Sequence, residues 1–336
     1  MKAWLLDDFT GLAGLRLAET PDPTPGDGEV VLEVEYAALN PADRYLAERL
    51  YPAKPPLPHI LGRDALGTVV RQGAGVTGPR LGERRIILRG ETGVNRAGTF
   101  ARYVAVAAES LVEVPAGWSD TEAAGAPLVF LTAYQALTMW GPLTPAAVVL
   151  VTGASGGVGV ASVQLAVALG HTVVALSRHA EKAQRLCQLG ATLALNPTDP
   201  RWRQALKAAL GPRRVALAVD NVGGRLLPQV IDTLDDQGRV SLVGRLAGPV
   251  PDFNTATLFF RRLRLGGVAV GAASPAESRS AWAEIVRLLA IAGARPQVDV
   301  VFPFAELPQA FDRLAQGPMG KVLLRGDASG STLPSQ

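Results

Sequence analysis

Val148-Val149-Leu150-Val151-Thr152 runs straight into Gly153-Ala154-Ser155-Gly156-Gly157-Val158-Gly159, and an apolar helical pattern continues to Leu169. A second apolar run, Thr172 to Ser177, follows. Glycine is needed at the junction because the backbone must turn tightly and then approach a pyrophosphate. The helix that follows offers free N–H groups and the positive end of its dipole to that anion. Strand, glycine turn, helix and strand in this order predict a dinucleotide site.

Two spacings pass through the turn. Ala154-x-Gly156-x-x-Gly159 is the dinucleotide fingerprint with alanine for its first glycine, and Gly153-x-x-Gly156-x-x-Gly159 is a related form. Ala154, Ser155, Gly156, Gly157, Val158 and Gly159 are therefore candidate cofactor contacts. The bland alternative is a turn that merely packs helix on strand; the flanking elements favour the cofactor. An NAD site wants a carboxylate at the end of the second strand, for the ribose 2′-hydroxyl. The sequence there reads Leu176-Ser177-Arg178-His179, with no acid until Glu181. Arg178 can fork onto a 2′-phosphate, Ser177 can donate to it, and Lys182 lies one helical turn on. NADPH is expected over NADH, against the alternative of a solvated surface arginine.

Outward from the turn, strand and helix alternate. Helix Ala180–Leu189, strand Thr192–Leu195, helix Arg201–Leu210, strand Val215–Asp220, helix Arg225–Leu234 and strand Arg239–Gly244 are expected, with Asp235 to Gly238 a plain turn. Such alternation gives a parallel sheet covered on both faces. Asn221, Gly244 and Arg245 follow strands at the carboxyl edge, where ligands lie in such folds, and Asp220 is expected to hold its turn. A further strand, Arg264–Val270, a helix Ala281–Leu289, a helix near Leu307–Leu314 and a strand Val322–Leu324 complete the chain.

The first stretch, about 120 residues, is strand-rich by the period and composition rules. Candidate strands are Lys2–Leu6, Val30–Ala37, Gly67–Gln72, Arg85–Leu88, Thr99–Val106 and Leu111–Val114. Thr121 to Met139 reads as a helix in two pieces divided near Pro127. The tail from Gly326 is small and polar and reads as a frayed end.

Hydrophobic residues make up 48% of the 336, and 36 Gly and 25 Pro are scattered among apolar segments, so a large core with many turns is expected. A net charge of +3 with no long basic run argues against a nucleic-acid partner. No run approaches the roughly 18 apolar residues of a membrane span. Asp7 and Asp8 break the N-terminal apolar stretch, which is unlike a secretory signal. One cysteine permits a reducing compartment, and a cytoplasmic protein is expected. A four-thiolate zinc site is impossible with Cys187 alone, and the three histidines (His59, His171, His179) are scattered, so no metal is expected. Cys187 is expected to be a small buried apolar residue.

Several stretches together resemble one family. They are Ala38-Leu39-Asn40-Pro41-Ala42-Asp43, Tyr45, Tyr51-Pro52, Leu61-Gly62-Arg63-Asp64 with Gly67, Gly98 to Tyr103, Leu131-Thr132-Ala133-Tyr134, the glycine turn, Glu181-Lys182, Gly190-Ala191 and Gly320-Lys321-Val322. Over nearly its whole length the chain resembles the zinc-free quinone oxidoreductase branch of the medium-chain dehydrogenase/reductase superfamily. The resemblance implies a Rossmann doubly wound parallel sheet (126–257) inserted into a chaperonin-10-like (GroES-like) β-rich catalytic domain made from residues 1–125 and 258–336, and often a homodimer. Zinc-dependent relatives carry a Cys near Pro41 to Asp43 and a Gly-His-Glu near Gly62-Arg63-Asp64; neither Cys nor His stands there in this chain. The family's usual Glu is Asp64, and a tyrosine that often follows Asn in the third strand of the nucleotide domain is Pro197.

The implied reaction is hydride transfer from NADPH to a quinone or an α,β-unsaturated carbonyl. By the resemblance, Asn40, Tyr45, Thr132 and Tyr134 line the nicotinamide end, and Tyr45 and Tyr51 are the phenols that face substrate, Tyr45 first. Both phenols serve equally well as walls capped by a hydrogen bond. Asp43 is expected to orient a neighbour. Arg63 either holds an anionic substrate or pairs with a carboxylate such as Asp64, pairing being favoured. An enoyl-thioester reductase, a zinc-free alcohol dehydrogenase and a non-catalytic NADPH-binding structural or RNA-interacting protein stay open as alternatives.

Overall fold

A computed structural model describes residues 1–88, 91–249 and 254–327. The chain forms two compact units, one of residues 1–128, 273–280 and 298–336, the other of 129–272 and 281–297.

In the first unit, among the described residues, the strands Val298–Pro303, Lys321–Arg325, Glu29–Ala38, Asp64–Gln72, Arg84–Ile87 and Leu111–Val112 lie side by side, and Tyr103–Ala107 also pairs with Glu29–Ala38. A smaller sheet joins Leu15–Glu19, Lys2–Leu6 and His59–Ile60. The long central strand reads Val30-Val31-Leu32-Glu33-Val34 and buries Val30, Leu32 and Val34 in one core with Leu6, Leu46, Phe100 and Leu324. Phe100 meets Phe311 edge-on at 6.0 Å, a favoured aromatic geometry. Near the chain's far end, Leu323 and Leu324 pair antiparallel with Ala38 and Ala37, so both ends of the sequence build this sheet. The short helix Pro41–Ala47 follows the central strand at once, with proline at its start, where a missing N–H costs nothing. The expected strand from Thr99 begins only at Tyr103, because Thr99 and Phe100 instead donate their amides to the Gly62 and Leu61 carbonyls. Gly326 donates to Glu35 and Asp327 pairs with Lys2, so the tail is held that far; residues 328–336 lie outside the described residues.

The second unit is a parallel sheet in the order Leu193–Leu195, Thr172–Leu176, Val148–Val151, Val215–Asp220, Leu234–Leu242, Arg264–Gly267. Numbered along the chain this is 3-2-1-4-5-6, the doubly wound nucleotide-binding order. Val148, Val149, Leu150 and Val151 are all buried, as a strand covered on both faces requires. Asp235 to Gly238, expected as a plain turn, instead interrupts a strand that starts at Leu234. Val215 pairs with Leu234 and Leu217 with Arg239, so the four residues bulge out, with Gln237 at φ 61. The catalytic unit does not resume at 258 as expected: Arg264–Gly267 pairs with Leu234–Leu242, which keeps the segment to 272 in the nucleotide unit.

Candidate functional site

The strand order reverses between Val148–Val151 and Val215–Asp220, and the glycine turn opens at that point. Ligands of open α/β sheets bind there, beyond the carboxyl ends of the strands. A lattice of side chains fixes the two strand ends. The Thr152 hydroxyl donates to Asp220 at 2.6 Å and accepts from the Asn221 amide at 2.9 Å, while the Asn221 side-chain nitrogen donates to the Thr152 carbonyl at 2.8 Å. Asp220 also accepts from the Val222 and Gly223 amides at 3.3 and 3.0 Å. Burial pushes its carboxyl above the usual range, against the pull of Thr152 and those two amides. The expected turn-holding role of Asp220 is what this geometry shows.

The turn fits a pyrophosphate. The helix Gly157–Ala168 has Gly156 as its N-cap and no acid in its first turn, and among the described residues no side chain caps its leading amides. A Cβ on Gly159 would stand 2.2 Å from the Gly153 oxygen, so only glycine lets the helix sit this close to the turn. Ser155, Gly156, Gly157 and Val158 are half-buried along the turn, Ala154 is buried, and Ala154 donates to the Leu176 carbonyl at 3.2 Å. Ser177 and Arg178 follow the second strand directly, Ser177 buried and Arg178 exposed, and Lys182 lies in the next helix, Ala180–Gln188. Gly244 approaches the Asn221 carbonyl so closely that a Cβ would meet it at 2.9 Å, and Arg245 beside it is exposed. Thr132, of the same unit, is half-buried on the helix Pro127–Thr138. Cys187 is exposed, contrary to expectation, because the apolar side of its helix is carried by Leu186.

Asn40, Tyr45 and Tyr51 belong to the first unit, where sequence reading missed the central feature. Lys321 is buried and donates to the Leu39 carbonyl at 2.9 Å, to Asn40 Oδ1 at 2.7 Å and to Asp64 Oδ2 at 3.3 Å. Asn40 Nδ2 donates to the same Asp64 oxygen at 2.9 Å, and the Leu128 amide to the other at 3.1 Å. Asn40 therefore spends both ends of its side chain inside the unit. Asp43 accepts from the Asn40 amide at 2.8 Å, fixing the start of the helix. Arg63 does not pair with Asp64. Its Nε faces Asp43 at 3.5 Å, because Lys321 already occupies Asp64. Arg63 Nη1 donates to the Tyr51 hydroxyl at 3.2 Å, and its guanidinium lies 4.5 Å from that ring's centroid. Tyr45 is half-buried on the helix Pro41–Ala47.

Burial pushes the Asp43 carboxyl from 3.8 up to about 6; Arg63, the Asn40 amide and Lys321 oppose the shift and Asp64 adds to it. An acid that holds its proton more tightly when folded adds stability below its unfolded value and loses that addition as pH rises through its folded value. Relative to Asp43→Asn, the wild-type chain is therefore expected to lose on the order of 3 kcal/mol of stability as pH rises from well below 3.8 to well above about 6. Urea unfolding of both proteins at the two ends of that window checks it; a constant difference would contradict the assignment.

A 3-2-1-4-5-6 parallel sheet with a glycine turn at its reversal, in one chain with a β-rich unit closed by both chain ends, defines a two-unit nucleotide-dependent oxidoreductase architecture. Residues 157–290 match the family described as zinc-binding dehydrogenase, and residues 26–116 the alcohol dehydrogenase GroES-like domain. A zinc-type alcohol dehydrogenase-like protein of Schizosaccharomyces pombe is 30% identical, over 96% of this chain and 98% of its own. A crystal structure of an NAD-dependent alcohol dehydrogenase superposes with a TM-score of 0.88 at 30% identity, over 97% of this chain and 99% of that one. Escherichia coli quinone oxidoreductase complexed with NADPH does so with 0.87 at 26%, over 97% and 100%. The chain belongs to the medium-chain dehydrogenase/reductase superfamily, with the quinone oxidoreductases among its relatives.

The family description names zinc, and the donor set here does not fit it. Among the described residues no three His, Cys, Asp or Glu side chains converge on a metal position. Asp43 and Asp64 are already matched with Arg63 and Lys321, cations that would repel a metal ion. No helix of the described residues is long and apolar enough to cross a membrane.

Proposed function

We propose that the protein is an NADPH-dependent, zinc-independent oxidoreductase that passes hydride to a quinone or an α,β-unsaturated carbonyl. The observation that carries the reading is the uncapped glycine turn at the switch point, with Ser177 and Arg178 where a carboxylate would select NAD. NADPH, when bound, supplies the hydride. The turn Ala154 to Gly159, with the leading amides of the helix Gly157–Ala168, holds its pyrophosphate, and Arg178, Ser177 and Lys182 receive the 2′-phosphate. Gly244 and Arg245 with Asn221 border the crevice, and Thr132 and Tyr45 serve the nicotinamide end.

When hydride reaches the β-carbon of an enone, the C=C electron pair moves toward the carbonyl oxygen, which then needs a donor. Tyr51 supplies that hydrogen bond and then the proton, which solvent replaces. A quinone needs the same donor at its distal oxygen. Asn40, its side chain held by Lys321 and Asp64, also serves the nicotinamide end.

The test is NADPH oxidation with 1,4-benzoquinone, 9,10-phenanthrenequinone, 2-alkenals and crotonyl-CoA as acceptors. Turnover of quinones or alkenals is expected, and turnover of crotonyl-CoA alone would favour a thioester reductase. Tight NADPH binding with silence on every acceptor would defeat the enzymatic reading. NADPH is expected to bind more tightly than NADH, and Arg178→Ala to weaken NADPH about tenfold, about 1.4 kcal/mol, while leaving NADH unchanged. Equal dissociation constants for the two coenzymes in the wild-type protein would refute the phosphate assignment. A cytoplasmic homodimer completes the proposal. The edge strand Arg264–Gly267, with Phe259 and Phe260 exposed at 63% and 80% nearby, supports pairing, and sedimentation reads the mass.

A further inference from the structure

Among the described residues, two ion pairs of the first unit have both side chains largely buried, and they are built differently. Lys321 and Asp64 are saturated: the ammonium reaches three oxygens, and both carboxylate oxygens accept hydrogen bonds. Arg63 and Asp43 are not. Arg63 is 12% exposed at its side chain, and among the described residues its buried Nε and Nη2 have no hydrogen-bond acceptor. Asp43 Oδ1 likewise accepts no hydrogen bond and faces Arg63 Nε at 3.5 Å. Unsatisfied buried donors oppose folding, so an arginine serving stability alone would be a poor choice here.

What this guanidinium does satisfy is Tyr51. It donates to the phenol oxygen at 3.2 Å and covers the ring at 4.5 Å. Arginine has five donors and no acceptor. Tyr51 Oη therefore accepts in this contact, and its own hydrogen must point to some other acceptor. The planar fork, stacked on the ring and steered by Asp43, sets both the tilt of the phenol and the direction of its free O–H.

We infer that Arg63, held by Asp43, is a positioning residue that fixes Tyr51 so that its hydroxyl donates to the substrate's carbonyl oxygen. The identity of that oxygen rests on the reaction proposed above; the Arg63–Tyr51 coupling does not. The inference also ranks Tyr51 above Tyr45 as the donor.

Three variants test it: Arg63→Met, Tyr51→Phe and the double. Each single variant is expected to lower kcat about tenfold or more with the acceptor KM changed by less than about threefold, as loss of a positioned donor does. The double variant is expected to match the worse single within about twofold, because both remove one interaction. Arg63→Lys, which keeps the charge and one donor, recovers part of the loss. A second readout needs no turnover. In cofactor-free protein carrying 13Cζ-tyrosine, the resonance that disappears in Tyr51→Phe is expected to shift in Arg63→Met. Losses that multiply in the double variant, a folded Arg63→Met with kcat within about twofold of the parent, or an unmoved Tyr51 resonance would each overturn the inference. Should Arg63→Met not fold, the same two readouts on Arg63→Lys decide. Should the parent reduce none of the acceptors, the proposed reaction fails by itself, and the resonance still decides whether Arg63 fixes Tyr51.

Discussion

Gly159→Ala is expected to lower NADPH affinity by at least about a hundredfold, about 2.7 kcal/mol, and to destabilise the nucleotide unit by roughly 2–4 kcal/mol. The added methyl would lie 2.2 Å from the Gly153 oxygen, 2.6 Å from the Ala154 Cα and 2.7 Å from the Ala154 carbonyl carbon. All three are backbone atoms, so no rotamer change relieves the overlap and the helix must move away from the turn. That movement carries off the amides that would hold the pyrophosphate. Gly156→Ala separates the two effects. Gly156 sits at φ −74, ordinary for alanine, and its Cβ would come only within 3.5 Å of the Gly153 oxygen. Its methyl therefore leaves stability within about 0.5 kcal/mol of the parent but stands where the fingerprint's second glycine admits the pyrophosphate, and binding is expected to fall about tenfold. Calorimetric titration with NADPH and urea unfolding of both variants read the two quantities. A Gly159→Ala protein that binds NADPH like its parent would remove the turn from the site.

The nucleotide unit was legible because its signals are local. Val148 to Gly159 carries a strand, a turn and a helix start within a dozen residues, and the observed strand Val148–Val151 and helix from Gly157 follow that reading. The strand Val215–Asp220 was placed residue for residue for the same reason. Leu234 was harder, since one pairing residue ahead of a four-residue bulge has no period of its own. The helix Pro41–Ala47 and the strand Val298–Pro303 escaped because seven and six residues give too little periodicity to see. Arg63 pairs with a carboxylate, as the sequence suggests, but with Asp43 and not Asp64, because partner choice depends on where Lys321 lands, 258 positions away along the chain and next to Asp64 only in the fold. One signal did point there. Lysine at the head of the apolar run Val322-Leu323-Leu324, and aspartate at the head of Ala65-Leu66-Gly67, are charges where strands are buried, and buried charges come in pairs.

Lys321→Met is accordingly expected to cost about 3–5 kcal/mol of stability, out of the 5–15 kcal/mol that holds a typical domain together. Methionine fills a similar volume, so the loss is electrostatic and not a cavity. Asp64 would keep its bonds from Asn40 and Leu128 but face the interior without a cation, and the Leu39 carbonyl and Asn40 Oδ1 would each lose a donor. Removing one partner of a buried pair leaves the other charge uncompensated, which costs more than the pair itself contributes. The second substitution follows from that asymmetry. Asp64→Asn on the Lys321→Met background takes away the stranded charge, and the side-chain amide it introduces can donate to the Asn40 Oδ1 that Lys321 has left. The double variant is therefore expected to be more stable than Lys321→Met alone, by about 1–2 kcal/mol, whereas independent sites would make it worse. Urea midpoints of the parent, both single variants and the double give the coupling directly. Simple addition of the two losses would mean that Lys321 and Asp64 do not compensate each other, and that the sheet joining the chain's two ends is held by its apolar contacts alone.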